Sequence, residues 1–401
     1  MEKLVFFPTW PPTVSDLGLI SLLLLCAVVF GEMARYLKLP RIIGYVLTGI
    51  LLSPGLAGFW SEEMLLRLQP FYSVAFGLVL FELGQRTDLS WLRRNPWLLA
   101  TSITESLLAF ACAALLLWLL SVPPMICLLT AGLASATGPS VVLGITKENR
   151  ARGQITERLY LLSALGSCYT FITLGLLYAW MHYAHASAWW VNILHPLYLI
   201  GGSVLLGVLI ARCASWALSW VKPTANGQTL GAVTMIVVAV ALVDVLKLSV
   251  VITLLLTGVL CRSIDQRRRL QPVNFGVFGQ LALIVIFAST GALLQISDFT
   301  VSLIPALGLI AARGVGKYIG VFLFARPSGL PFAKASLLSI GLLPMSGAAL
   351  VWMESAALVW PEFGRQLTAI MLTALVIMEL LGPLALHYAL KRAGETTEAA
   401  R

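Results

Sequence analysis

The sequence predicts an all-α protein with about 13 membrane-spanning helices, arranged as inverted five-helix repeats with two unwound crossing helices. Three observations predict it. Of 401 residues, 59% are apolar and 11% charged, with a mean hydropathy of +0.90. A water-soluble chain of that length needs a far more polar surface, so lipid is the main solvent. The apolar residues fall into 13 runs whose connecting loops alternate in positive charge. Two of those runs are interrupted by proline close to glycine at matching places.

The runs lie at 15–35, 40–59, 68–86, 97–120, 124–145, 156–183, 189–220, 228–245, 248–262, 275–296, 299–325, 332–356 and 365–391. A span with its loop takes about 30 residues, so the chain has room for this number. The odd-to-even loops carry Arg35, Lys38 and Arg41, then Arg86, Arg93 and Arg94, then Lys147, Arg150, Arg152 and Arg158. Later ones carry Arg212 and Lys222, then Arg262 and Arg267 to Arg269, then Arg326 and Lys334, and the tail adds Lys391, Arg392 and Arg401. Of the 27 Lys and Arg, 21 therefore fall on one side, while Lys3, Arg67, Lys247 and Arg365 fall on the other. One missed helix would reverse every later loop and destroy the bias. The expected topology has the N-terminus outside and the C-terminus cytoplasmic, in a bacterial-type inner membrane.

The net charge of +9 sits in short clusters between apolar runs, which marks topology and anionic lipid rather than nucleic acid. Cys26, Cys112, Cys127, Cys168, Cys213 and Cys261 lie in or beside apolar runs without C-x-x-C spacing, and are read as packing thiols. No cleavable signal peptide and no soluble regulatory domain are expected. The sequence has no phosphate-binding G-x-x-x-x-G-K-[ST], no dinucleotide fingerprint and no G-x-S-x-G elbow, so no enzyme and no cofactor are expected. His182 and His185 are close but lack an acidic or cysteine partner, and are read as loop residues rather than a metal site. Trp189, Trp190, Trp352 and Trp360 are read as interfacial anchors.

Runs two to six and nine to thirteen form the two proposed repeats, inserted in opposite senses because each has five helices. The fifth run contains Ala136–Thr137–Gly138–Pro139–Ser140 and the twelfth Gly341–Leu342–Leu343–Pro344–Met345–Ser346–Gly347. Each is the fourth helix of its repeat. Proline breaks the hydrogen-bond ladder there, freeing carbonyls that can hold a cation and exposing half-helix ends of both signs. A lone break would be read as a kink; a matched pair points to a binding site. Buried charge is costly in membrane helices and often functional. Glu82, Glu105, Glu354 and Glu379 are therefore candidate proton carriers, with Glu354 nearest the outer surface. Lys317 is read as part of the site, and Arg313 as a packing residue whose head snorkels away.

Several stretches resemble the monovalent cation:proton antiporter family, including its Kef-type branch. Leu39–Pro40–Arg41–Ile42–Ile43–Gly44–Tyr45–Val46–Leu47–Thr48–Gly49–Ile50–Leu51–Leu52–Ser53–Pro54 resembles that family's second helix. Leu80–Phe81 with Gly84, Asp88 and Leu89 is similar to the end of its third helix. Ala136–Thr137–Gly138–Pro139 resembles its unwound segment, followed by the similar Gly153–Gln154–Ile155–Thr156–Glu157. Gly314 to Gly320, with Lys317, and Gly341 to Gly347 resemble the helix bearing a basic residue and the second unwound helix. The resemblance implies a core of residues 97–183 and 299–391 moving like an elevator against a scaffold of 1–86 and 228–296, with 189–220 as the link. It also implies a homodimer, and exchange of a monovalent cation (Na+ or K+) for protons.

The resemblance fails at one point. The family carries an Asn-Asp or Asp-Asp pair on its sixth helix, where this chain has Gly166 and Ser167. A hydroxyl can coordinate a cation but cannot titrate, and Lys317 is expected to be left without its acidic partner. Three readings follow: another acid substitutes, among Glu82, Glu105, Glu379 and Glu354; or Lys317 or Arg313 centres a positive site for an anion or small organic acid, with Lys317 itself as proton carrier; or the chain is a transport-inactive regulatory or structural homologue. The expected site comprises Thr137, Gly138, Pro139, Ser140, Gly166, Ser167, Lys317, Pro344, Met345 and Ser346.

Overall fold

The computed structural model describes residues 16–56, 62–184, 189–220, 225–264, 275–293, 296–347 and 361–396. Within them lie 15 helices. In chain order they are α1 (Asp16–Tyr36), α2 (Arg41–Leu52), α3 (Glu62–Arg86), α4 (Leu89–Arg94) and α5 (Pro96–Leu119). Then come α6 (Pro124–Ser135), α7 (Pro139–Glu148), α8 (Gln154–Ala184), α9 (Trp189–Trp220) and α10 (Ala225–Val245). The last five are α11 (Val250–Ile264), α12 (Gly276–Ala292), α13 (Ile296–Leu323), α14 (Phe332–Gly341) and α15 (Pro361–Arg392). The short α4 lies in a loop, and α6 with α7 form the two halves of the predicted fifth span. The remaining helices follow the predicted runs. His185, Trp352, Trp360 and Glu354 lie outside the described residues, as do the side chains of His182, Trp189 and Trp190.

Proline sets many of the helix starts. Pro96, Pro124 and Pro139 occupy first helical positions, where the missing N–H would have had no partner. The surface is inverted relative to a soluble protein: Leu25, Leu119, Leu205, Trp216 and Ile304 are all more than half exposed, as lipid allows.

The two repeats meet along glycine seams. α2 crosses α12 where Gly49 faces the backbone of Ala288 and Gly291 faces that of Val46, so that a Cβ on either glycine would collide. α3 crosses α11 in the same way, with Gly84 on Leu255 and Gly258 on Phe81. If α2 corresponds to α11 and α3 to α12, one crossing is the image of the other. Leu47–Thr48–Gly49 and Leu256–Thr257–Gly258 occupy equivalent places, and each threonine hydroxyl donates to the carbonyl four residues back. Small residues let membrane helices approach this closely.

One apolar cluster is contributed by α5, α6, α8, α13 and α15, including Ala113, Leu133, Leu174, Leu309 and Leu375. A larger one joins α1 to α3 with α9 to α12 and runs through α7 and α8 to Leu98 of α5, Val321 of α13, Leu338 of α14 and Leu386 of α15. The basic loops gather at one end of the bundle. There Arg41 N–H donates to Glu148, Arg262 donates to the Arg86 carbonyl at 2.8 Å, and Asn95 Nδ2 donates to the Ser328 carbonyl at 2.9 Å. Asp88 caps α4 through the Ser90 N–H; bonding to Ser90, with Arg262 nearby, holds its carboxyl below the ordinary aspartate range.

The segment just after α15 is tied down at this basic end. The Glu395 carboxylate accepts from Ile155 N, Thr156 N and the Thr156 hydroxyl, each at 2.8 Å, so a residue beyond α15 caps the start of α8. A Cβ at Gly153 would collide with the Glu395 side chain. Glu395→Ala should cost about 1–2 kcal/mol, read as a lowered unfolding midpoint in mild detergent. An unchanged midpoint would mean that water replaces the cap at no cost.

Candidate functional site

The site grows from the two breaks. The residue before a proline is pushed away from helical geometry, and α6 accordingly ends at Ser135, with Ala136 and Gly138 extended ahead of Pro139. The second break follows Gly341, the end of α14. The two unwound segments cross and pair: Thr137 and Met345 form an isolated antiparallel bridge, and Gly138 N–H donates to the Pro344 carbonyl at 3.0 Å. The Thr137 hydroxyl donates to the Leu342 carbonyl at 3.1 Å. Thr137, Ser140, Met345 and Ser346 are all buried. Gly382 of α15 packs on Pro344, and the buried Ser140 hydroxyl has no partner among the described residues.

Arg313 holds the crossing together. Its guanidinium donates to five carbonyl oxygens: those of Ala134 and Ala136 at the end of the first half-helix and Leu342, Leu343 and Pro344 after the second. Both half-helices end with their negative poles toward this one cation, the arrangement their dipoles favour. This corrects two expectations. Arg313 does not snorkel, because the nearest strong acceptors lie inward at the breaks rather than at the interface. These carbonyls, expected to be open to a cation, are taken by the guanidinium.

One helical turn further along α13, Lys317 Nζ donates to Glu105 Oε2 at 2.6 Å and to the Thr137 hydroxyl at 3.0 Å. Both members of this ion pair are 0% exposed. The second carboxylate oxygen, Oε1, accepts from Ser106 at 3.0 Å. Glycine makes the pairing possible: a Cβ at Gly316 or Gly320 would strike the α5 backbone at Leu108 or Glu105. The expectation that Lys317 lacks an acidic partner is therefore corrected, since the partner comes from α5 rather than from α8.

The vacancy on α8 has a physical counterpart. A Cβ at Gly166 would lie 3.8 Å from Glu105 Oε1 and 3.7 Å from the Ser106 hydroxyl. The Glu105 carboxylate thus reaches the space beside Gly166, where the resemblance places an acid. Ser167 turns its hydroxyl to the Ser163 carbonyl at 2.9 Å, and Ser163 in turn donates to the Thr137 carbonyl at 3.2 Å.

The other acids are placed differently. Glu82 accepts from Arg86 at 2.9 Å and from Lys147 at 3.0 Å near the basic end, an ion-paired link between α3 and α7. Glu379 is buried on α15, beside the second break rather than the first.

Residues 18–392 match the family described as sodium/hydrogen exchanger, transmembrane. No curated protein matches the chain. Among solved structures, the chain is similar to the sodium proton antiporter MjNhaP1 from Methanocaldococcus jannaschii at pH 8. The TM-score is 0.68 at 16% identity, covering 96% of this chain and 98% of that one. An electron-microscopy structure of the same antiporter matches with a TM-score of 0.71 at 16% identity, over 94% and 95% of the two chains. At that identity the likeness establishes the fold.

Proposed function

The chain belongs to the sodium/hydrogen exchanger transmembrane family, and on that premise we propose that it exchanges protons for a monovalent cation, with Glu105 and Lys317 as the exchange centre. One observation carries this reading: the fully buried Glu105–Lys317 pair, held on the Thr137 hydroxyl beside Gly166. A carboxylate oxygen and a threonine oxygen that hold an ammonium are also hard ligands for Na+ or K+. A cation arriving there competes with the ammonium, and Lys317 releases one proton as it leaves. Uptake of a proton by Lys317 restores the pair and expels the cation. Arg313 keeps the crossing intact throughout.

The anion reading loses its support on this view, because Glu105 balances Lys317 and carbonyls surround Arg313. We assign α5 to α8 and α13 to α15 to a moving core, α1 to α3 and α10 to α12 to a dimerising scaffold, and α9 to the link. The cluster shared by α5, α6, α8, α13 and α15 supports that core. The basic end faces the cytoplasm of a bacterial-type inner membrane by the positive-inside rule.

The test is proton flux in proteoliposomes followed by an internal pH dye, with Na+, K+, Li+ and small anions added in turn. Wild-type protein should respond to at least one cation, and Lys317→Ala should reduce that response to the level of protein-free vesicles. A response to anions alone would revive the positive-site reading.

A further inference from the structure

Glu379 is used by no step above, yet its setting is unusual. It lies within α15 and is 1% exposed. The Thr290 hydroxyl of α12, which donates to the Ile286 carbonyl at 2.9 Å, is in hydrogen-bonding reach of the carboxyl, and Oε2 has no partner among the described residues. Gly347, at the end of the second break, faces it: a Cβ there would lie 3.7 Å from Glu379 Oε1 and 3.0 Å from the Tyr72 hydroxyl. Tyr72 of α3 donates that hydroxyl to the Gly347 carbonyl at 2.8 Å. Tyr72 is thus the titratable group facing the site and Thr290 the polar one. Helices α2, α6, α7, α13 and α14 also pack on α15, and no charged side chain among the described residues acts on Glu379.

The inverted repeat gives this place a meaning. α15 follows the second break as α8 follows the first. On α8, Ser163 and Gly166 approach the first break at Thr137, where Glu105 brings its carboxyl. On α15, Glu379 brings its own carboxyl to the second. Each crossing segment therefore has one buried acid. They differ in their partners: Glu105 has Lys317, whereas among the described residues Glu379 has neutral neighbours, two of them on helices assigned to the scaffold. An ionised carboxylate left unpartnered in such surroundings is very costly. A proton on Oε2 completes the group.

We propose that Glu379 is a second proton-binding site, separate from the Glu105–Lys317 pair, at the boundary of the moving core with the scaffold. The inference rests on the exchange reading above for its role, though not for its existence. With the core seated as in this structure, the carboxyl keeps its proton. When the core moves away from Thr290 and Tyr72, water reaches the group, the O–H bond breaks and the proton passes to water. Return of the core to this seat requires that a proton be taken up again from the same water, so the site makes the movement depend on pH without adding a proton to each cycle.

The experiment has two arms on the purified full-length protein. Infrared difference spectra across a pH jump should show the carbonyl band of a protonated carboxylic acid, lost in Glu379→Gln and retained in Glu105→Gln. In proteoliposomes, the fall in exchange rate as pH is raised on the side to which the moved core opens should be reduced in Glu379→Gln while exchange continues. A band indifferent to Glu379→Gln, or an unchanged dependence of exchange rate on that pH, overturns the proposal. If wild type moves no cation while the band still depends on Glu379, the exchange reading fails and the proton site stands. Should Glu379→Gln fail to insert, Thr290→Val removes the hydrogen bond at nearly constant shape; it should shift the band, and an unshifted band overturns the site.

Discussion

Glu105→Gln should bring cation-driven proton flux down to the level of protein-free vesicles while leaving the protein inserted in the membrane. Glutamine keeps the size of glutamate and still accepts a hydrogen bond, but carries no charge. Lys317, 0% exposed, then has no counter-ion, and the cation loses its carboxylate ligand. Removing one member of a buried ion pair costs about 3–5 kcal/mol, less whatever is recovered if Lys317 gives up its proton. The unfolding midpoint should therefore fall together with transport. Glu105→Gln combined with Lys317→Met separates the two effects, because it removes both charges. Stability should return while flux stays absent. If the double variant transports at the wild-type rate, the pair is structural and the exchange centre lies elsewhere.

Arg313→Met should be the most destabilising single change in the chain. It takes the guanidinium from five carbonyl oxygens at the crossing; those of Leu342 and Pro344 keep the Thr137 hydroxyl and the Gly138 N–H as donors, while those of Ala134, Ala136 and Leu343 do not. Each buried polar group left without a partner costs about 1–3 kcal/mol, so the loss should amount to several. Arg313→Lys keeps the charge but not the planar fork, and a single ammonium cannot span both half-helix ends. It should fall between Met and wild type. Thermal unfolding in mild detergent would measure the series. Equal midpoints for all three proteins would mean that the Thr137–Met345 bridge alone secures the crossing.

The fold was largely legible because membranes impose coarse rules. Alternating loop charge gave the sequence of spans, and Pro139 and Pro344 marked the breaks without any knowledge of contacts. The site was less so. Glu105 and Lys317 are 212 positions apart, and no periodicity within one helix reveals what faces it from another. A signal was nonetheless present: Gly316 and Gly320, four apart and flanking Lys317, have the spacing that lets one membrane helix press against its neighbour. Arg313 and Lys317, likewise four apart, share a face of α13. That placed both toward the breaks, although Arg313 taken singly looked like a residue reaching for the interface. Glu395 was illegible for another reason: a polar residue after the final helix carries no sequence mark of the helix start it caps.

The glycine seams have a genealogical side. In a dimer of identical subunits, residue a of one protomer meets b of the other, and b meets a. Gly49 against Gly291 and Gly258 against Gly84 reproduce that reciprocity within a single polypeptide. The chain has the form of a homodimer whose subunits were joined end to end and inserted head to tail. Once joined, the two copies no longer had to stay alike. That freedom allows α5 to bring Glu105, and α13, its counterpart, to bring Lys317.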